Sequence, residues 1–276
     1  MKEYISSAGE TRAVILPEKG GTVVSLTRNG VEFLYRDQEN LDSPERPRCG
    51  IPFLFPMFGR LKDGVYQWNG ETYPMEIHGF GHTSPWTVTS HTGEELVMEL
   101  SDTPKTRKQY PFAFRTQLRF RVGEGTLSIR QRFENRGTEP MPYSFGFHPY
   151  FLTDMPEDLS VETTAAQHFD FAKGAPSPFG HGSVGVSLPE GAPETGSAFF
   201  GVTGPTSLHL PGEGRRVTME THGHYPALVL WTQAGKRFLC VEPINGTANG
   251  FNTGVHDTLL PGEAREALLE IQVDLI

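Results

Sequence analysis

The feature that most limits the folds open to this chain is a period-two alternation of apolar and polar side chains that recurs from residue 96 to the C-terminus. Leu96, Met98 and Leu100 show it, as do Leu118, Phe120 and Val122, then Leu127, Ile129 and Phe133, then Val217 and Met219, then Leu269, Ile271, Val273 and Leu275. A strand turns successive side chains to opposite faces, so each set lines one face of a half-buried antiparallel strand. Gly123-Glu124-Gly125 joins two such runs as a hairpin, and Asn135-Arg136-Gly137 closes the second. Ala227 to Trp231 and Phe238 to Val241 are almost continuously apolar, which predicts central strands covered on both faces. Windows with a helical period are missing, and the one tempting stretch, Glu263 to Leu269, is short. With 31 glycines and 22 prolines supplying turns, the chain reads as all-β. Its 276 residues suffice for one large domain spanning residues 1–276. The stretch from Ala172 to Gly204, crowded with Gly, Pro and Ser, reads as a long surface loop.

Charge and cysteine usage exclude several functions. A formal net charge of −9, with no block of Lys and Arg, disfavours a nucleic-acid partner, and the Lys105 to Lys108 cluster reads as a solvated turn. Cys49 and Cys240 are too few and too far apart for a disulfide scaffold or a metal knuckle, and are expected to be buried thiols. Neither a signal-peptide core nor a run of about 18 apolar residues occurs, so no membrane partner is expected and a cytoplasmic location follows by default.

Four polar interruptions of apolar segments are candidates for chemistry. Gly50 to Arg60 is a bulky run with two prolines, which should lie at a sheet edge and present Arg60 at its end. His78-Gly79-Phe80-Gly81-His82 places two histidines beside an aromatic, a common furnishing of polar pockets, although a structural histidine is the commoner fate. In Ser144-Phe145-Gly146-Phe147-His148-Pro149-Tyr150-Phe151 an imidazole sits among aromatics, where burial costs free energy and tunes its pKa. Glu242 ends the apolar run Phe238 to Val241, and a carboxylate there is a reasonable general base whose proton affinity burial would raise toward neutrality. A zinc reading of His209, His222 and His224 is weaker, because no acidic or thiol ligand accompanies them at a recognisable spacing. Cys240 and Ser144 lack the context of a nucleophile elbow.

Taken in order, the Gly-Ile-Pro-x-x-Phe-Pro run ending in Arg60, His78-Gly79-Phe80 before Pro85-Trp86, Phe147-His148-Pro149-Tyr150-Phe151, Val241-Glu242-Pro243 and Leu260-Pro261-Gly262-Glu263 resemble the aldose 1-epimerase family. The resemblance runs from about Val23 to the C-terminus. It implies a large antiparallel β-sandwich of the galactose mutarotase type, with a sugar bound on one concave sheet. Glu242 is then the base that takes the anomeric hydroxyl proton, and His148 the acid that protonates the ring oxygen. His78, His82 and Arg60 hold sugar oxygens, and Phe147 and Trp231 pack on apolar sugar faces. No metal or organic cofactor is implied, since the chemistry is proton transfer alone. Two departures stand out. His82 occupies the place where many relatives have Arg, and the family's substrate-binding Asp has no clear counterpart, Asp170 lying in the right region within no recognisable motif. With Arg60 alone among the motif cations, a free aldose is the expected substrate. A hexose-6-phosphate epimerase and a non-catalytic sugar-binding module of the same fold are the alternatives. The sequence leaves the particular sugar and the oligomeric state open.

Overall fold

The computed structural model describes residues 1–154, 159–171, 174–186 and 191–276. Among them, two antiparallel sheets pack face to face. The nine-stranded sheet runs in spatial order Gly182–Gly185, Ser160–Thr163, Thr206–Leu210, Arg215–His222, Ala264–Leu275, Thr126–Asn135, Phe114–Gly123, Glu95–Ser101 and Thr87–His91. Four of the five alternating sets end up side by side at its centre, and the fifth, Leu96 to Leu100, is next to them. Their apolar members are the buried ones, apart from Leu275 at the strand's end, because one face meets the opposing sheet and the other meets water. The hairpin forms as expected, with Gly123 opposite Thr126 and Gly125 at φ 69°, a left-handed angle glycine adopts without steric cost.

The eight-stranded sheet carries the candidate site. Its order is Ala175–Pro178, Gln167–Asp170, Glu194–Phe200, Ala227–Gln233, Phe238–Asn245, Phe145–Phe147 and Phe53–Leu54, with Tyr150–Leu152 also paired to the Phe238–Asn245 strand. The two continuously apolar runs are indeed interior strands. Leu228, Leu230, Leu239 and Val241 point into the inter-sheet core, while Ala227, Val229 and Ile244 belong to a separate apolar cluster on the outer face. The run before Arg60 lies at the edge, as its prolines require.

The short stretch with helix-forming composition is strand from Ala264 on, part of Ala264–Leu275: Ala267, Leu269, Ile271 and Val273 are all buried on one face, and that two-residue period outweighs the Ala-Arg-Glu-Ala composition. The segment from 172 to 204 is not one loop. Its described residues include the strands Ala175–Pro178, Gly182–Gly185 and Glu194–Phe200, the last lying inside the eight-stranded sheet, while 172–173 and 187–190 fall outside the described residues. Glycines at the turns masked the short alternations between them. No helix among the described residues is long and apolar enough to cross a membrane.

Candidate active site

His148 and Glu242 meet because of strand register. On either side of them Gly146 lies opposite Ile244 and Tyr150 opposite Cys240, so His148 faces Glu242 where Pro149 interrupts the ladder. Nε2 of His148 stands 3.4 Å from Oε1 of Glu242, and both residues are buried. The imidazole is stacked on Tyr150 at 4.6 Å and meets Trp231 edge-on at 5.8 Å, while its backbone N–H donates to the Pro52 carbonyl. Its Nδ1 has no hydrogen-bond partner among the described residues.

Burial dominates the electrostatics. It raises the Glu242 carboxyl well above the ordinary range, with the Arg46 guanidinium pulling the other way, and it lowers His148 to about 3, helped by Arg46. Both shifts favour the uncharged forms, so a proton shared by the pair is held by Glu242 in preference to His148. Moving it across 3.4 Å to His148 leaves the net charge unchanged.

His78 adds a second imidazole, 5.5 Å from His148 between ring centres. It is locked by a reciprocal pair: its backbone N–H donates to the Gly59 carbonyl, and the Gly59 N–H donates to its Nδ1 at 3.1 Å. An accepting Nδ1 leaves the ring proton on Nε2, so His78 is a fixed donor, kept neutral by burial and by the neighbouring His148 and His82. Gly79 must be glycine, for φ is 69° and a Cβ would lie 2.4 Å from the Phe55 carbonyl oxygen. His82 lies one ring further out, 6.2 Å from His78, buried, held to about 3 by desolvation and with Nδ1 unpartnered among the described residues.

Trp231 is half-buried on the same strand face as Glu242, since Trp231 pairs with Cys240 and Val229 with Glu242. Phe147 is not in the site. It is 1% exposed and its ring packs on Phe53 at 5.2 Å in the inter-sheet core, because it is one residue from His148 and alternation sends it to the other side. Asp170 also lies on the wrong face: Phe169, opposite Ala198, takes the outer side of that strand.

The residue that sequence reasoning missed is Arg46. Its charge acts on Glu242, Tyr150, His148, His78 and His82, and desolvation lowers its own pKa. Arg46, Arg48 and Arg60 together line a cleft of about 980 Å³ whose rim also carries Lys105. This cleft lies beside the His148–Glu242 pair rather than over it, and Arg46 belongs to both. None of the three arginines makes an ion pair with a carboxylate among the described residues. By contrast, Arg107 is paired with Asp102 and Arg115 with Glu99. The three histidines of the zinc reading go separate ways, His209 to Glu162, His222 to Glu270 and His224 to Asp257.

Comparison with known proteins agrees with the fold. The family model for aldose 1-epimerase matches residues 3–272. The crystal structure of the Slr1438 protein from Synechocystis sp. PCC 6803 superposes with a TM-score of 0.92 at 30% identity, covering 100% of this chain and 96% of that one. A galactose mutarotase related enzyme from Lactobacillus acidophilus superposes at 0.84 with 23% identity, covering 99% and 97%. A Cenchrus ciliaris protein whose name proposes a glucose-6-phosphate 1-epimerase is 28% identical over 52% of this chain and 44% of its own length.

Proposed function

The chain belongs to the aldose 1-epimerase family, and on that premise we propose that it interconverts the α and β anomers of an aldose by opening and reclosing the ring. The observation that carries the proposal is the facing pair of His148 and Glu242, one imidazole and one carboxyl 3.4 Å apart in a buried setting. Ring opening needs a proton removed from the anomeric oxygen and another delivered to the ring oxygen. With the shared proton on His148, Glu242 accepts the hydroxyl proton as a carboxylate while the imidazolium protonates the ring oxygen, and the C1–O5 bond breaks to give the open-chain aldehyde. Rotation about C1–C2 presents the other carbonyl face, and the same transfers in reverse close the ring. The fixed Nε2–H of His78 donates to a sugar oxygen, and Trp231 offers a flat apolar surface. Polarimetry on freshly dissolved α-glucose and α-galactose, and on glucose 6-phosphate, tests this. Failure to speed the approach to anomeric equilibrium for all three would defeat it.

A specific observation bears on substrate charge. The expectation of a free aldose rested on Arg60 standing alone, and Arg46 and Arg48 now stand with it. Three guanidinium groups without a carboxylate partner among the described residues, on one cleft of a chain with net charge −9, are suited to a dianionic phosphate, which Arg forks bind bidentately. The reading favoured is therefore an epimerase for a sugar that carries a phosphate.

A further inference from the structure

The buried thiol of Cys240 has no part in the proton transfers, yet it lies on the same strand face as Glu242, two residues away, and beneath the same histidine. One ligand atom each from His148, Cys240 and Glu242 lies within 4.8 Å of the others, and all three residues are buried. Of these contacts the His148–Glu242 one is already 3.4 Å. Zinc bonds to nitrogen and sulfur place neighbouring ligands of a tetrahedron roughly 3.3–3.8 Å apart, so closure by about an ångström suffices. We propose that His148, Cys240 and Glu242 form an inhibitory site for a thiophilic divalent cation, zinc above all, which silences the enzyme by tying up its acid–base pair.

The donor set selects the metal class. A thiolate with an imidazole suits zinc, and offers little to magnesium or calcium, which prefer oxygen cages. Charge balance suits the burial: one zinc ion, one carboxylate and one thiolate sum to zero, which limits repulsion from Arg46. On binding, a Zn–S bond forms as the Cys240 S–H proton leaves to solvent, and Glu242 gives up any proton it holds. Nothing is oxidised or reduced. His148 is already neutral and needs no deprotonation to ligate. With both proton carriers coordinated, neither exchanges a proton with the sugar.

The inference rests on the assignment of His148 and Glu242 as the proton carriers, so its test includes a readout independent of turnover. Zinc titrated into the active enzyme should abolish mutarotation, a chelator should restore it, and equal magnesium should do nothing. Cys240→Ala should keep basal activity within about twofold while the zinc concentration needed for half-inhibition rises at least tenfold. Cobalt bound to the wild type should give a thiolate-to-cobalt charge-transfer band, kept in Cys49→Ala and lost in Cys240→Ala. Should the alanine variant fail to fold, Cys240→Ser serves instead, since a hydroxyl gives no such band. Equal zinc sensitivity in the Cys240 variant, or a band absent from wild type or surviving without Cys240, overturns the site. A chain without epimerase activity would sink the proposed function alone, leaving the cobalt spectrum to decide the metal site.

Discussion

His148 and Glu242 occupy facing positions of one antiparallel ladder, and the break in pairing at Pro149 is what lets an imidazole stand there over a carboxyl. Glu242→Gln keeps the shape and the neutral state that burial favours, and His148→Ala removes the other proton carrier. Each should lower kcat by about 10²–10⁴-fold with the melting temperature of Glu242→Gln close to wild type. Stopped-flow polarimetry beside thermal melts checks both. Near-native turnover in either variant would remove that residue from the mechanism.

Much of this arrangement was legible in the sequence, and the misreadings have physical causes. His148 and Glu242 stood out because an ionisable group inside an apolar strand needs a reason to be there. The alternating sets gave five adjacent strands of the nine-stranded sheet. Phe147 was misplaced by treating the aromatics around His148 as one cluster, although a period of two sends adjacent residues to opposite faces. Arg46 was missed because Pro44-Glu45-Arg46-Pro47-Arg48 reads as a polar surface loop, and only the fold carries that loop to Glu242. Its adjacency to the Gly50-Ile51-Pro52 run was the available signal.

The two aromatics should separate cleanly by experiment. Phe147→Ala opens a cavity between the sheets and should cost about 3–5 kcal/mol of stability. Trp231→Ala removes a half-buried ring beside His148, and should raise KM several-fold while melting well above the Phe147 variant. Urea unfolding and steady-state kinetics on the pair provide the check, and a KM defect in Phe147→Ala without loss of stability would contradict its place in the core.

Acid should unfold the protein through its buried histidines. His82 and His148 have folded pKa values of about 3 against 6.5 when free, and His78 is also lowered. Below pH 6.5 the unfolded chain takes up protons that the folded chain refuses, so stability present above 6.5 is lost as pH falls toward 3. Glu242 acts oppositely: its raised value makes the folded state bind the extra proton, which adds stability as pH drops toward 4.5. At pH 5 each such histidine costs about 2 kcal/mol relative to neutral pH. His82→Phe should therefore lose about 2 kcal/mol less than wild type between pH 7 and 5. Parallel denaturation curves at the two pH values would expose the error if the losses were equal.

Arg46 should prove to have two separable duties. A charge-assisted hydrogen bond is worth about 1.5–3 kcal/mol, so Arg46→Ala should raise KM for glucose 6-phosphate by roughly 10–100-fold. KM for glucose should move far less, and Arg60→Ala should follow the same pattern. The second duty is electrostatic. Arg46 opposes the desolvation that raises Glu242, so without it the carboxyl holds its proton to still higher pH. Turnover needs one proton on the pair and falls on the alkaline side as that proton is lost. The alkaline limb of kcat/KM for free glucose should accordingly shift to higher pH in Arg46→Ala, and stay in place in Arg60→Ala, since Arg60 does not enter the electrostatics of Glu242. Full pH profiles of both variants with both sugars read the two duties apart. Equal loss for glucose and its 6-phosphate would return the substrate to the free aldoses, and an unmoved alkaline limb in Arg46→Ala would end its electrostatic role.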